Sequence, residues 1–148
     1  MLLSQTAEYA LRAMAHLATV PEGHAVRARD LSEATGIPAP YASKVLRRLV
    51  AARLLAAQKG HGGGFKLARP PEQVRFIDVL QAADDSLQPD RCAFGWGRCG
   101  ARAPCLLHDP MSALKDSVLD WARRTTLASV RRPGGRPATL GPRRRSAP

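Results

Sequence analysis

The feature that most restricts the fold is a glycine-rich hairpin that directly follows two short helical segments. Residues 53–59 and 65–68 predict two strands, and the sequence GHGGG at 60–64 predicts a flexible turn between them. The helix before this hairpin starts after the tight turn Gly36-Ile37-Pro38, in which Gly36 ends the preceding helix, and Pro40 suits its first turn. This order predicts a mainly α-helical fold with a small β-hairpin wing, a winged helix-turn-helix.

The second helix of the pair carries two different faces. An apolar face, which is predicted to be buried, consists of Tyr41, Val45, Leu46 and Leu49. The opposite face shows hydroxyl and basic side chains at Ser43, Lys44, Arg47 and Arg48. On an isolated helix such a face is ordinarily solvated. Beside a wing it predicts contacts with the phosphates and base edges of DNA.

The predicted wing offers further DNA contacts. Lys59 and His61 can contact DNA, while Gly62 and Gly63 allow the backbone to approach a phosphate or the minor groove closely. The alternative for this turn is a nucleotide-binding loop. The sequence lacks the Lys-Ser/Thr ending of a P-loop and the strand-to-helix context of a dinucleotide fingerprint, so DNA contact is the preferred interpretation.

The charge balance also favours a polyanionic partner. The chain has 23 Lys and Arg residues against 12 Asp and Glu residues, which gives a formal net charge of +11. Six arginines and no acidic residue fall in the segment 131–148, which has little to bury and is predicted to be a disordered basic tail. This tail is either a solubilising extension or an arm that binds phosphates without sequence preference.

Two amphipathic helices flank the helix-turn-helix and its wing. Ser4 is predicted to cap the first, in which apolar residues recur at Ala7, Leu11, Met14 and Leu17 up to about Val20. Asp109 is predicted to cap the last, with Pro110 at its first position. An apolar stripe follows at Met111, Leu114, Val118 and Trp121. Such a stripe on a terminal helix of a small protein needs a partner, so it predicts a homodimer.

The three cysteines fall in one short loop. Cys92, Cys99 and Cys105 are followed by His108 in the pattern C-x6-C-x5-C-x2-H. An odd number of cysteines in one loop argues against a disulfide framework and for a metal site or a reactive thiol. Three thiolates and an imidazole suit either Zn²⁺ or an iron–sulfur cluster. The wide intervals favour the cluster, because zinc ligands usually come in closely spaced pairs.

The residues around the cysteines fit a thiolate site. Glycines let the chain wrap closely around a cofactor, and three are present at Gly95, Gly97 and Gly100. Arg91, Arg98 and Arg102 are expected to favour thiolates over thiols and to offset the negative charge of a thiolate-ligated cluster.

With these features in this order, the chain resembles the winged-helix iron–sulfur and redox-responsive transcription regulators typified by IscR and NsrR. The resemblance covers about residues 1–130, and its most specific segments are IPAPYASKVLRRLVAARLL, KGHGGGFKLARPPEQVRFIDVLQAAD and CAFGWGRCGARAPCLLH. It implies a homodimer that binds palindromic operator DNA and usually represses, with the recognition helix at 39–51 and the wing at 59–65. It also implies that Tyr41, Ser43 and Lys44 lie near the DNA-facing start of that helix.

The resemblance offers two choices for a fourth cluster ligand. The CLLH ending looks like the type in which a histidine after the third cysteine, here His108, ligates a [2Fe–2S] cluster. Glu8 stands where related proteins place an acid that reaches the [4Fe–4S] cluster of the partner subunit. The alternative interpretation of Glu8 is a solvated carboxylate that the helix dipole favours. We favour His108, and [2Fe–2S] over [4Fe–4S]. The chain departs from the family pattern in its Lys59-Gly60 wing start, where Arg-Gly is usual, and in its six-residue first cysteine interval, where five is usual.

The predicted organisation has four parts: a winged-helix DNA-binding domain at 1–84, a cysteine-bearing loop at 85–109, a dimerisation helix at 110–130 and the tail at 131–148. The expected function is a sequence-specific repressor whose operator affinity is modulated by the cluster in response to iron, nitric oxide or redox state. One alternative is the same fold acting through zinc or thiol oxidation without a cluster. Another is an iron–sulfur carrier or electron-transfer protein, against which the wing counts.

Two further classes are not expected. The sequence contains neither paired carboxylates nor a nucleophile–base pattern, so an enzyme is not predicted. It also shows no secretory signal and no apolar stretch of membrane-spanning length, so the expected location is the cytoplasm.

Overall fold

The computed structural model describes residues 3–83, 91–92, 94–100 and 102–130. In chain order the elements are helices α1 (Gln5–Thr19), α2 (Ala28–Thr35) and α3 (Ala39–Ala51), strands β1 (Leu55–Gln58) and β2 (Gly64–Leu67), and helices α4 (Phe76–Ala83) and α5 (His108–Arg124). Short 3-10 turns occur at Pro71–Gln73 and Leu127–Val130. The prediction of a mainly helical fold with a small hairpin is confirmed. None of the described helices has the length and apolar character needed to cross a membrane. The predicted basic tail lies outside the described residues.

The ends of the first three helices follow from the residues found there. The Ser4 side-chain oxygen accepts a hydrogen bond from the Ala7 N–H at 3.1 Å, so it caps α1 as predicted. Gly36 ends α2 with a φ of +69°, a left-handed conformation that favours glycine. Pro40 lies in the first turn of α3, where a missing N–H has no helical partner to lose. These ends form the turn between α2 and α3.

The buried face of α3 differs by one residue from the prediction. Ala42, Val45, Leu46 and Leu49 are buried, whereas Tyr41 is 47% exposed, so the prediction that Tyr41 is buried is wrong. Residues 42, 45, 46 and 49 follow the three- and four-residue spacing of one helix face, and position 41 is rotated about 100° away from 42. The Tyr41 ring instead lies near that of Tyr9 on α1, with centroids 5.7 Å apart.

The wing is an antiparallel hairpin in which Leu55 pairs with Leu67 and Gln58 with Gly64. The first strand is shorter than predicted, and the second has the predicted length but starts one residue earlier. Strand β1 starts late because Arg53, just after α3, has a left-handed φ of 58°. A separate bridge joins β2 to the segment before α2. In it, Val26 and Phe65 exchange two backbone hydrogen bonds, each 2.8 Å long. The wing is therefore tied to the helix-turn-helix as well as following it in sequence.

We expect Gly64→Ala to weaken the fold more than Gly62→Ala. A Cβ at Gly64 would lie 2.4 Å from the Val26 carbonyl oxygen, and the φ of +144° is strained for other residues. Gly62 also has a positive φ, +72°, but nothing lies within 4 Å of its added Cβ. The free energy of unfolding should fall by about 3 kcal/mol for Gly64→Ala and by about 1 kcal/mol for Gly62→Ala. Urea denaturation followed by circular dichroism measures both, and equal losses would contradict the role of the Val26 contact.

Helices α4 and α5 complete the core. Helix α4 packs against α1 and α3, and α5 packs against α4. The Phe76 and Trp121 rings are 4.9 Å apart, and the Phe76 N–H donates to the Thr125 carbonyl at 3.0 Å. The fully buried centre of the core comprises Met14, Leu31, Ile37, Leu46, Leu49, Leu54, Leu55, Val74, Val79 and Leu127.

The last helix starts earlier and ends earlier than the sequence predicted. It begins at His108, with Leu107 at the capping position and no side-chain cap, so the prediction that Asp109 caps it is wrong. The His108 N–H donates to the Cys105 carbonyl at 2.9 Å, a turn that starts the helical path before Asp109 is reached. Pro110 still lies in the first turn, where it disturbs no helical hydrogen bond. The helix ends at Arg124, and a 3-10 turn follows at Leu127–Val130 within the predicted range 110–130.

Candidate metal centre and nucleic-acid interface

The structure brings the three cysteines together. Their sulfur atoms all lie within 4.8 Å of one another, and Cys92 Sγ is 3.9 Å from Cys105 Sγ. Cys92 and Cys99 are buried and Cys105 is half-buried, and all three are free thiols. The Cys105 N–H donates to Cys99 Sγ at 3.2 Å. A compact set of soft donors of this kind can hold a metal ion or cluster.

Backbone hydrogen bonds give the loop its shape. The Cys92 N–H donates to the Gly97 carbonyl at 3.0 Å, and the Gly95 N–H donates back to the Cys92 carbonyl at 3.0 Å. Gly95 and Gly97 have φ values of +77° and +88°, so this tight turn depends on glycine. The turn directs Phe94 and Trp96 outward as a stacked pair, with ring centroids 4.8 Å apart.

Other backbone groups of this turn act on the thiols. Hydrogen bonds from the backbone N–H groups of Phe94 and Trp96 lower the pKa of the Cys92 thiol. Burial raises the pKa of the Cys105 thiol, and its contact with Cys99 adds to the rise. Arg91, Arg98 and Arg102, which the sequence singled out as the source of thiolate stabilisation, are all exposed. Backbone N–H donors are therefore the principal groups that favour a thiolate at Cys92.

The sequence interpretation missed Lys115, which supports this loop from α5. Lys115 is only 6% exposed, and its Nζ donates to the Arg91 carbonyl at 2.9 Å, immediately before Cys92. A buried ammonium is costly unless it is well paired, so the contact fixes where the loop meets the helix. The sequence carries a signal for it: Lys115 follows Met111 by four residues and precedes buried Ala122 by seven, the spacing of one helix face.

The two candidate fourth ligands lie outside this sulfur group. Among the described residues, the set with mutually close ligand atoms contains only the three cysteines. His108 is the first residue of α5 and half-buried, three positions after Cys105. Glu8 is half-buried in the first turn of α1. A fourth ligand at His108 or at Glu8 of a partner subunit stays a prediction.

The helix-turn-helix and wing present most of the residues that the sequence proposed for DNA contact. On α3, Tyr41, Ser43, Lys44 and Arg47 are exposed. In the wing, Lys59, His61 and Gly62 are exposed. Gly63 is different, because it is buried and an added Cβ would lie 2.5 Å from the Gln58 carbonyl oxygen. Glycine at position 63 is therefore required by the hairpin itself.

Comparison with known proteins agrees with this architecture. The family model described as Rrf2, iron-dependent transcriptional regulator, matches residues 3–133. An HTH-type transcriptional regulator of Mycobacterium tuberculosis is 38% identical over 131 residues, which cover 88% of this chain and 81% of the relative. The HTH-type transcriptional regulator IscR of Cronobacter sakazakii is 32% identical over 130 residues, which cover 88% and 80% of the two chains. These relatives are transcriptional regulators and not enzymes.

Solved structures show the same fold. The global cysteine regulator CymR of B. subtilis superposes with a TM-score of 0.68 at 18% identity, over 86% of this chain and 95% of CymR. IscR of T. potens superposes with a TM-score of 0.66 at 24% identity, over 85% and 82% of the two chains. The family model spans the helix-turn-helix, the wing, the cysteine loop and α5. The chain therefore belongs to the Rrf2 family of winged-helix transcriptional regulators.

Proposed function

We propose that this regulator is a cytoplasmic homodimer that represses by binding operator DNA, and that its three thiols hold an iron–sulfur cluster that sets operator affinity. The observation that carries the proposal is the convergence of three cysteine sulfur atoms within 4.8 Å in a protein with an exposed helix-turn-helix. The matching family is one of iron-dependent transcriptional regulators, and IscR is among the relatives. Both support an iron-containing cofactor.

The chemistry of the donor set fits such a cluster. Thiolates are the usual protein ligands of iron–sulfur clusters, and a bound cluster would supply a centre that responds to redox state. Cys92 is the thiol whose pKa is lowered by backbone donors, and Cys99 is buried below the loop surface. This chain's own contribution is to converge three sulfur donors and to keep two of them away from solvent.

A single tetrahedral ion is the second candidate, and a specific distance favours it. An ion with Zn–S bonds of about 2.3 Å holds its sulfur ligands roughly 3.8 Å apart. The Cys92–Cys105 sulfur separation of 3.9 Å matches this value. Two thiolates on one iron of a [2Fe–2S] cluster stand about equally close, whereas thiolates on different irons stand farther apart. A cluster would therefore require at least one of the three sulfur atoms to move outward. A third candidate is a regulator that uses the thiols themselves, and a solved structure of the same fold, CymR of Staphylococcus aureus in an oxidized form, supports it.

One experiment separates these candidates. Full-length protein is purified without oxygen, and its absorption spectrum and its iron, sulfide and zinc contents are measured. We expect a brown protein with iron and acid-labile sulfide in comparable amounts. Stoichiometric zinc in a colourless protein would establish the single-ion site instead. A metal-free protein that stays metal-free after reconstitution with iron and sulfide would leave thiol chemistry.

We expect Lys44→Ala and Arg47→Ala to weaken operator binding. Both side chains are exposed on α3, and Arg47 Nε donates to the Ser43 carbonyl within the helix, which leaves the rest of the guanidinium available. Each change should cost about 1–3 kcal/mol if the residue contacts a base, or lower the salt slope by about one if it contacts a phosphate. Fluorescence anisotropy with duplexes selected from a random pool measures both quantities. A pool from which the wild-type protein enriches no sequence would contradict specific binding.

The proposed dimer rests on α5. Its stripe is only partly covered in one chain: Leu114 is 47% and Trp121 is 48% exposed, with half-buried Val118 between them. Large apolar side chains left exposed in a row on a helix are typical of a protein–protein interface. A twofold arrangement that covers this row would also place two recognition helices for a palindromic operator.

A further inference from the structure

Recognition helix α3 has a direct side-chain connection to the end of α4. An Nη1 donor of Arg48, in the last turn of α3, is hydrogen-bonded to the carbonyl oxygen of Ala83. Helix α4 spans Phe76–Ala83, and Ala83 is buried. The hydrogen bond therefore joins an arginine of α3 to the backbone of a buried residue of α4.

This position matters because the cysteine segment follows α4 in the chain. Positions 84–90 lie outside the described residues, and the description resumes at Arg91, next to Cys92. The Arg91 carbonyl accepts the hydrogen bond from buried Lys115 of α5. Arg48 of the recognition helix therefore holds the carbonyl of Ala83, and Lys115 of α5 holds that of Arg91.

The elements between these two contacts are firmly packed. Val79, Leu80 and Ala83 of α4 are buried, and α4 contacts both α3 and α5. A displacement of the cysteine loop that moves α5 through Lys115 would therefore reach α4, and Arg48 would pass it to α3. Packed elements joined by hydrogen bonds are the means by which two sites can bias each other.

We propose that Arg48 is the positioning residue that couples the three-cysteine site to the recognition helix. This inference rests on the proposed function, since it specifies how the state of that site reaches DNA. Arg48 was grouped with the DNA-facing basic residues by its place in the sequence, and its contact with Ala83 gives it a different role. Arg47 is the matched control, because it is a neighbouring exposed arginine whose hydrogen bond stays within α3.

The test is a double-mutant cycle on full-length protein under anaerobic conditions. The dissociation constant for a pool-selected duplex is measured with the cysteine site intact and with Cys99→Ala, in the wild-type, Arg48→Ala and Arg47→Ala backgrounds. We expect the ratio of the two constants to lie between about five- and 150-fold in the wild type, a usual range for coupled sites. In Arg48→Ala it should fall to within about twofold of unity. In Arg47→Ala both constants should rise while their ratio stays at the wild-type value.

The ratio distinguishes coupling from simple DNA contact. Loss of a phosphate contact at Arg48 weakens both states equally and leaves the ratio unchanged, which would overturn this inference alone. A ratio of unity in the wild type would overturn the proposed regulation and this inference with it. A second readout measures metal release instead of DNA affinity. Because coupling is reciprocal, a saturating amount of duplex should shift the chelator concentration that removes the metal from the wild-type protein. The same shift in Arg48→Ala would also overturn the inference.

Discussion

Cys99→Ala is expected to abolish loading of the metal centre and to change operator affinity by about five- to 150-fold, a usual range for two coupled sites. Cys99 is 6% exposed, and its sulfur accepts the hydrogen bond from the Cys105 backbone, so it lies inside the group and holds the third cysteine in place. Removing it leaves two thiols, too few for either a structural tetrahedral site or a three-thiolate cluster. Metal and sulfide analysis measures the loading, and anisotropy with the selected duplex measures the affinity.

Leu106→Ala is the matched control for this change. Leu106 follows Cys105 directly in the same loop and is 89% exposed, so its side chain supports neither the sulfur group nor the core. Metal content and operator affinity should both stay at wild-type values. If Cys99→Ala retained a full complement of metal, the three-thiol site would be wrong. If it lost the metal but bound the duplex like the wild type, the centre would be structural and not regulatory.

Leu114→Arg is expected to separate the proposed dimer. Leu114 is at the exposed edge of the α5 stripe, and an interface that covers it would have to bury the new charge without a partner. The dimer dissociation constant should rise by about 100-fold, which corresponds to the cost of losing an interface hot spot. Operator affinity should fall with it, because a palindrome is bound by two helices at once. Sedimentation velocity across a concentration series measures the first effect.

Ala113→Arg provides the control for the added charge. Ala113 is exposed and lies one residue before Leu114, outside the apolar stripe. The same arginine at this position should leave the sedimentation coefficient and the operator affinity unchanged. A Leu114→Arg protein that remained dimeric at all concentrations would place the interface elsewhere on the molecule.

Local chemistry explains why the helix-turn-helix could be predicted so closely. Gly36 ends α2 and Ser4 caps α1 because each supplies a conformation or hydrogen bond that few other residues offer. The burial of Tyr41 was predicted wrongly because large aromatic residues are usually buried, whereas in this helix the small residue Ala42 occupies the core position. Asp109 was misplaced because a good capping residue was available, yet the turn at Cys105 starts α5 earlier.

The site was less predictable because its geometry depends on contacts between distant residues. The spacing of the cysteines indicated a common centre but could not indicate that their sulfur atoms lie within 4.8 Å. Lys115 is separated by 24 residues from the carbonyl it supports, and Arg48 by 35. The helical spacing of Lys115 indicates that it is buried, but no local pattern indicates the carbonyl that it or Arg48 contacts, since a lysine or arginine on a helix is ordinarily solvated.

The bridge between Val26 and Phe65 limits how the proposed regulation can act on DNA binding. Because the wing shares two backbone hydrogen bonds with the segment that leads into α2, it cannot swing away from the recognition helix without breaking them. We therefore expect the wing and the helix-turn-helix of each proposed subunit to meet DNA as one unit. In the proposed dimer, a signal at the cysteines acts on the distance and angle between two such bodies. The active and inactive states would then differ in the spacing of half-sites that they prefer. The sequence preferred within each half-site would stay the same.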